Sequence, residues 1–219
     1  MLKISLRILA NLTVISNNIK CIRSEIGPKV ELVAVTKNRT ATQIEESIQA
    51  GITIIGENRI QEAASKFPKL SSPVTKHFIG HLQTNKVKLA VELFDLIQSV
   101  DSLRLAQKIN QEATRQQKTM PILLEVNIAK DPKKYGFTPD ETSSLLPEIQ
   151  ALSNIEVRGL MTIVPYFEDP EQTRSFFKQI KTLQTKLALP ELSMGMSNDY
   201  HIAVQEGATI VRIGSAIFN

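Results

Sequence analysis

Cysteine is almost absent from this sequence: Cys21 is the only one in 219 residues. An internal disulfide is therefore excluded, and a reducing, cytoplasmic compartment fits. Histidine is scarce too. His77, His81 and His201 do not cluster, and Cys21 stands in no ligand spacing, so a structural zinc site is not expected. Aromatic residues make up 5% of the chain, and no basic run accompanies the net charge of +4 and the pI near 9.1. Scattered lysines and arginines read as a solvated surface, not a nucleic-acid face. No apolar run approaches the roughly 20 residues of a membrane span. The first 24 residues contain neither Asp nor Glu, a composition shared with transit peptides. Against that, Leu6, Leu9, Leu12, Ile15, Ile19 and Ile22 recur every three or four residues and form one apolar stripe. An amphipathic helix is the reading adopted.

What is present is an ordinary globular composition, 42% hydrophobic and 22% charged, in a length suited to one large domain or two small ones. Short apolar runs alternate with amphipathic ones to the end of the chain. "ELVAVTK" predicts a strand. "TATQIEESIQAG" predicts a helix with a Thr40/Gln43 capping box and Gly51 as its stop. Strands are predicted in "TIIGEN", "KHFIGH", "LIQSVDS", "PILLEVNIA", "VRGLMTIV" and "ELSMGMS", with helices between them. "RIQEAASKF" is a helix closed by Pro68. A helix from Thr138 has Pro139 in its first turn and a capping box closed by Glu141. "PEQTRSFFKQIKTLQTKLAL" is expected to be the longest helix, and "ATIVRIGSAIF" an eighth strand. Eight strands separated by helices predict a TIM (β/α)8 barrel, a single domain over residues 1–219, with the N-terminal helix covering the last strand. An open doubly wound sheet is the alternative.

In such a barrel the site lies at the carboxyl ends of the strands. Polar residues expected there are Lys37, Asn58, His81, Asn127, Thr162, Ser197 and Ser215. Lys37 follows Val33 and Val35 in phase, so its ammonium is expected at the barrel mouth, partly desolvated. Desolvation favours the neutral amine, which is nucleophilic toward an aldehyde. The competing reading is a lysine solvated at the rim. Ser197 stands where a helix begins and Gly214 lets backbone approach a ligand, with Ser215 as a further donor. Together they suggest a phosphate cradle after strands seven and eight. Separately they also suit an N-cap and tight packing. Arg212, inside strand eight, needs a partner: a ligand, or an ion pair with Glu125 or Glu206. An aldehyde-reactive lysine beside a phosphate cradle suggests one cofactor, pyridoxal 5′-phosphate.

The ordered motifs "LVAVTK", "GENRIQEA", "HFIGHLQTNKVK", "LLEVNIAKDPKKYGF", "RGLMTI", "LSMGMSNDY" and "VRIGSAIF" resemble the pyridoxal-phosphate homeostasis proteins, the single-barrel YggS/PROSC family. The resemblance runs along essentially the whole chain. It implies that Lys37 carries the cofactor as a Schiff base and that Ser197, Arg212, Gly214 and Ser215 bind it, with Asn58 and His81 near its ring. It implies a role in intracellular pyridoxal-phosphate balance, with cofactor-dependent enzymes as acceptors, a monomeric state and no efficient turnover. Two departures are visible. Tyr135 replaces the small residue usual before the glycine of "KKYGF", and the sequence stops at Asn219, without the usual glycine and polar tail. Alanine racemases are more distantly similar. They take a second acid/base, a tyrosine, from a further domain of a partner chain, and no such domain is expected here. Amino-acid racemization is therefore the alternative reading, with Tyr135 as the one residue able to supply a second acid/base.

Overall fold

The computed structural model describes residues 13–219. The stripe positions Leu6, Leu9 and Leu12 lie outside them, as does the first half of the acid-free stretch. The remaining stripe residues, Ile15, Ile19 and Ile22, are buried on helix α1, Val14–Ile26. Then follow β1 (Glu31–Val35), α2 (Ala41–Gln49), β2 (Ile54–Glu57), α3 (Ile60–Lys66), β3 (Thr75–Phe78), α4 (Val87–Leu93) and β4 (Leu96–Val100). The second half comprises α5 (Leu103–Arg115), β5 (Met120–Glu125), α6 (Pro139–Gln150), β6 (Ile155–Met161), α7 (Arg174–Lys186), β7 (Glu191–Ser193), α8 (Tyr200–Gln205), β8 (Ile210–Ile213) and α9 (Ser215–Phe218). The strands are all parallel and close in chain order, β8 pairing with β1, so the predicted barrel is the observed one.

Strand alternation divides the core in two. Leu32 and Ala34 belong to the large cluster between barrel and helices. Val33 points inward and meets Ile54, Leu96, Leu123, Met161 and Ile210, the apolar plug of the barrel. Above that plug the interior turns polar. Gln98 and Ser193 are buried there, and Arg212 pairs across the β1–β8 ladder with Val33. Both predicted capping boxes form: Thr40 with Gln43, and Thr138 with Glu141.

Several boundaries differ from expectation. The eighth strand ends at Ile213; Ser215–Phe218 turns into α9, which buries Ile217 and Phe218. The Asn18 side chain of α1 donates to the Ile217 and Asn219 carbonyls, so α1 and α9 together close the last staves. An apolar Ala-Ile-Phe run suits a strand or a buried helical turn, and periodicity does not separate them. Residues 170–173 form a 3₁₀ turn, leaving α7 at 13 residues, so that among the described residues it shares the greatest length with α1 and α5. The α-helix α3 ends at Lys66, just before Pro68 as expected, and Pro68 sits inside a following 3₁₀ turn, Phe67–Lys69, where its missing N–H costs nothing. Strands three, five and seven stop several residues early, because ladder register limits each stave and the rest becomes site loops.

Candidate functional site

Two adjoining cavities open at the carboxyl ends of the strands. The first, about 340 Å³, is lined by Lys37, Asn58, Gly80, His81, Glu125, Asn127 and Tyr135, among others. The second, about 410 Å³, is lined by Ser197, Asn198, Gly214, Ser215 and Tyr166. Val35, Lys37, Met196 and Arg212 line both. The seven residues that the resemblance assigns to the cofactor, Lys37, Asn58, His81, Ser197, Arg212, Gly214 and Ser215, therefore gather at one mouth. Thr162 does not join them: its hydroxyl is buried and donates to the Val126 carbonyl at 2.8 Å. Asn127 lines the first cavity while its amide holds the 127–134 loop, donating to the Asp131 carbonyl and accepting from the Asp131 N–H.

Lys37 lies two residues beyond β1, on the inward side that the phase of Val33 and Val35 requires. It is exposed, however. The expected desolvation is not supplied by the protein's own groups, because the strand ends before the lysine and the mouth stands open around it.

Arg212 is buried, 3% exposed. Its Nη1 donates to Ser193 Oγ at 2.6 Å and its Nη2 to the Thr162 carbonyl at 2.8 Å. Neither Glu125 nor Glu206 pairs with it; Glu206 pairs with Arg174 instead, so the ion-pair alternative is not what forms. Burial pulls the guanidinium down to about 10, opposed by the more distant charges of Glu125 and Asp199. Behind Arg212 a chain of hydrogen bonds crosses the barrel. Ser193 Oγ donates to Gln98 Oε1 at 2.7 Å, and the Gln98 amide lies 2.9 Å from His77 Nδ1. Burial lowers His77 to about 4, so its ring is neutral and accepts from Gln98. Every bond in the chain then runs in one direction, which fixes the fork of Arg212.

Ser197 does not cap a helix. Its Oγ accepts from the Gly214 N–H and the Ala216 N–H, each at 3.3 Å. With its acceptor sites so used, its own proton is free to be donated into the second cavity. A Cβ at Gly214 would come within 3.3 Å of Val35 Cβ, closer than ordinary contact, which accounts for the missing side chain. On the other side, His81 Nδ1 lies 3.1 Å from Asp101 Oδ2, and its ring stacks on Tyr135 with centroids 3.6 Å apart. Tyr135 is thereby held at the mouth. Gly136 after it has φ +114°, and a Cβ there would meet the Asn127 nitrogen at 2.8 Å, so only glycine permits this turn.

Sequence reasoning offers Glu125 only as a partner for Arg212. It lines the first cavity, and burial with the nearby Asp101 charge raises its carboxyl to about 7, against the pull of Arg212 and Lys134. It ends β5 in the run "ILLEV", and that inward phase was the signal that could have found it.

Three comparisons bear on this mouth. Residues 10–219 match the family model described as the alanine racemase N-terminal domain. Proteins named pyridoxal phosphate homeostasis protein from Aquifex aeolicus and Synechocystis are each 40% identical. The first covers 86% of both chains, the second 88% of this chain and 92% of the relative. The solved structure of PipY from Synechococcus elongatus, with pyridoxal phosphate bound, superposes with a TM-score of 0.88 at 37% identity, covering 94% of this chain and 100% of the other.

Proposed function

The chain belongs to the family of pyridoxal phosphate homeostasis proteins, and on that premise we propose that it holds pyridoxal 5′-phosphate at the barrel mouth through Lys37 and serves cofactor supply in the cell. The observation that carries the reading is the joining of two cavities at Lys37 and Arg212, one walled by Asn58 and His81, the other by Ser197, Gly214 and Ser215. The residues suit such a group. Asn58 Oδ1 is buried without a hydrogen-bond partner, an acceptor that a ligand donor would satisfy. Ser197 offers a free hydroxyl proton beside a Cβ-less backbone, a cradle suited to a phosphate. When bound, the group supplies an aldehyde that condenses with the Lys37 amine, forming a carbon–nitrogen double bond and releasing one water.

Each side chain has a distinct task in this reading. Ser197 and Ser215 donate to the phosphate. Arg212, held by Ser193 and the Thr162 carbonyl, presents fixed positive charge between the two cavities. His81, stacked on Tyr135 and tied to Asp101, walls the ring side. The protein acts as a carrier or regulator, releasing the cofactor to enzymes that use it. It works as a monomer in the cytoplasm. Among the described residues no helix is long and apolar enough to cross a membrane. Intact-mass spectrometry after borohydride reduction tests the reading: one pyridoxyl increment per chain is expected, and an unchanged mass contradicts it.

A second reading, a racemase-like enzyme, is favoured by one observation. Glu125, His81 and Tyr135 share the cavity with Lys37, so Lys37 is not the only acid/base there. Loaded protein incubated with L-amino acids separates the two. Turnover above about 1 s⁻¹ in chirality or keto-acid assays supports the enzyme, and its absence supports the carrier.

A further inference from the structure

The backbone on both sides of Lys37 is tied to one buried ammonium. Lys66, on α3 and 9% exposed, donates from Nζ to the Thr36 carbonyl at 2.8 Å, to Glu57 Oε1 at 2.9 Å and to Glu62 Oε1 at 2.5 Å. Its three protons are thus all placed. Glu57 is fully buried at the end of β2, and its Oε1 also accepts from the Thr36 hydroxyl at 2.7 Å. Glu62 Oε1 also accepts from the Asn38 N–H at 2.6 Å. Asn38 has φ 60°, a left-handed conformation that asparagine takes more readily than most non-glycine residues. The Arg39 N–H closes the turn on the Thr36 carbonyl at 3.0 Å. Lys37 itself is exposed, so nothing in its own packing fixes where it projects.

We propose that the Glu57–Lys66–Glu62 cluster is a positioning device for Lys37, clamping Thr36 and Asn38 so that the amine between them projects into the cavity at a fixed angle. This rests on the reading of Lys37 as the residue that takes the aldehyde. Strand alternation supports the geometry. Thr36 and Glu57 face outward toward α3, and Lys37 faces inward, so the clamp grips from behind the barrel wall without touching the ligand site. A buried charge group of this kind is seldom the most stabilising solution for a core. Its use here is orientational: near-attack geometry is sensitive to displacements of about 1 Å, and such displacements cost roughly 100-fold. Lys66, Glu57 and Glu62 are positioning residues and make no contact with the cofactor.

The test compares two ligands that differ only at the reacting carbon. Pyridoxal 5′-phosphate has the aldehyde; pyridoxine 5′-phosphate has an alcohol and reads the phosphate and ring sites alone. In Lys66→Met, affinity for the aldehyde and its rate of borohydride-trappable attachment should fall at least tenfold, with affinity for the alcohol held within about twofold. Glu62→Gln, at the half-exposed edge of the cluster, should show the same split more weakly. It decides the matter if Lys66→Met does not fold. Equal losses for both ligands would make the cluster merely structural and overturn the proposal. So would unchanged attachment in both variants. Lys37→Ala is run in parallel and should abolish attachment. If attachment persists there, the reading of Lys37 fails. If it is lost there but clamp variants match the wild type, only the positioning inference fails.

Discussion

Arg212 Nη1 lies 2.6 Å from Ser193 Oγ, and that hydroxyl is in turn spent on Gln98, so the buried guanidinium is oriented by neutral partners. Among the described residues it forms no ion pair. A guanidinium buried this way is costly to the apo protein and is available to a ligand anion or acceptor nitrogen. In Arg212→Met, cofactor affinity should fall at least tenfold for both the aldehyde and the alcohol ligand, and thermal stability should hold or rise. A variant that binds normally would assign Arg212 to the fold alone.

If Ser197 and Ser215 hold the phosphate as proposed, they separate the phosphate from the ring. Alanine at either would then remove a hydrogen bond to a charged group, about 1.5–3 kcal/mol. Binding of pyridoxal 5′-phosphate should weaken about tenfold or more, most at Ser197, whose oxygen also accepts the Gly214 and Ala216 N–H groups. Pyridoxal without phosphate should bind almost as before. Matching losses for both ligands would put the phosphate elsewhere.

Glu125 predicts a pH dependence. Its carboxyl is raised from 4.5 to about 7 in the folded protein, chiefly by burial. A raised carboxyl favours folding while protonated. Its contribution is full below about pH 4.5 and is lost as pH rises through about 7. Relative to wild type, Glu125→Gln should therefore gain about 1–3 kcal/mol between those pH values, the lower figure reflecting solvent in the open cavity. Denaturant unfolding at pH 4.5 and pH 8 measures the difference. A constant difference would mean that Glu125 titrates normally.

The barrel and most of the mouth were legible in the sequence because they depend on local pattern. Period-two alternation placed Lys37 with Val33 and Val35, and the two capping boxes fixed the starts of α2 and α6. What escaped was non-local. The exposure of Lys37 depends on where the ladder stops, and the grip of Lys66 on Thr36 spans 30 residues. The stacking of Tyr135 on His81 joins loops from different staves. Ala216, Ile217 and Phe218 suit a strand as well as the helical turn they form, because apolar residues in so short a run carry no period.

The central claim is that Lys37 carries the cofactor. Peptide mapping of the borohydride-reduced protein tests it most directly. The account predicts a pyridoxyl group on the peptide containing Lys37 and on no other lysine in comparable yield, with none in Lys37→Ala. A modification spread over other lysines, with Lys37 unmodified, would contradict it.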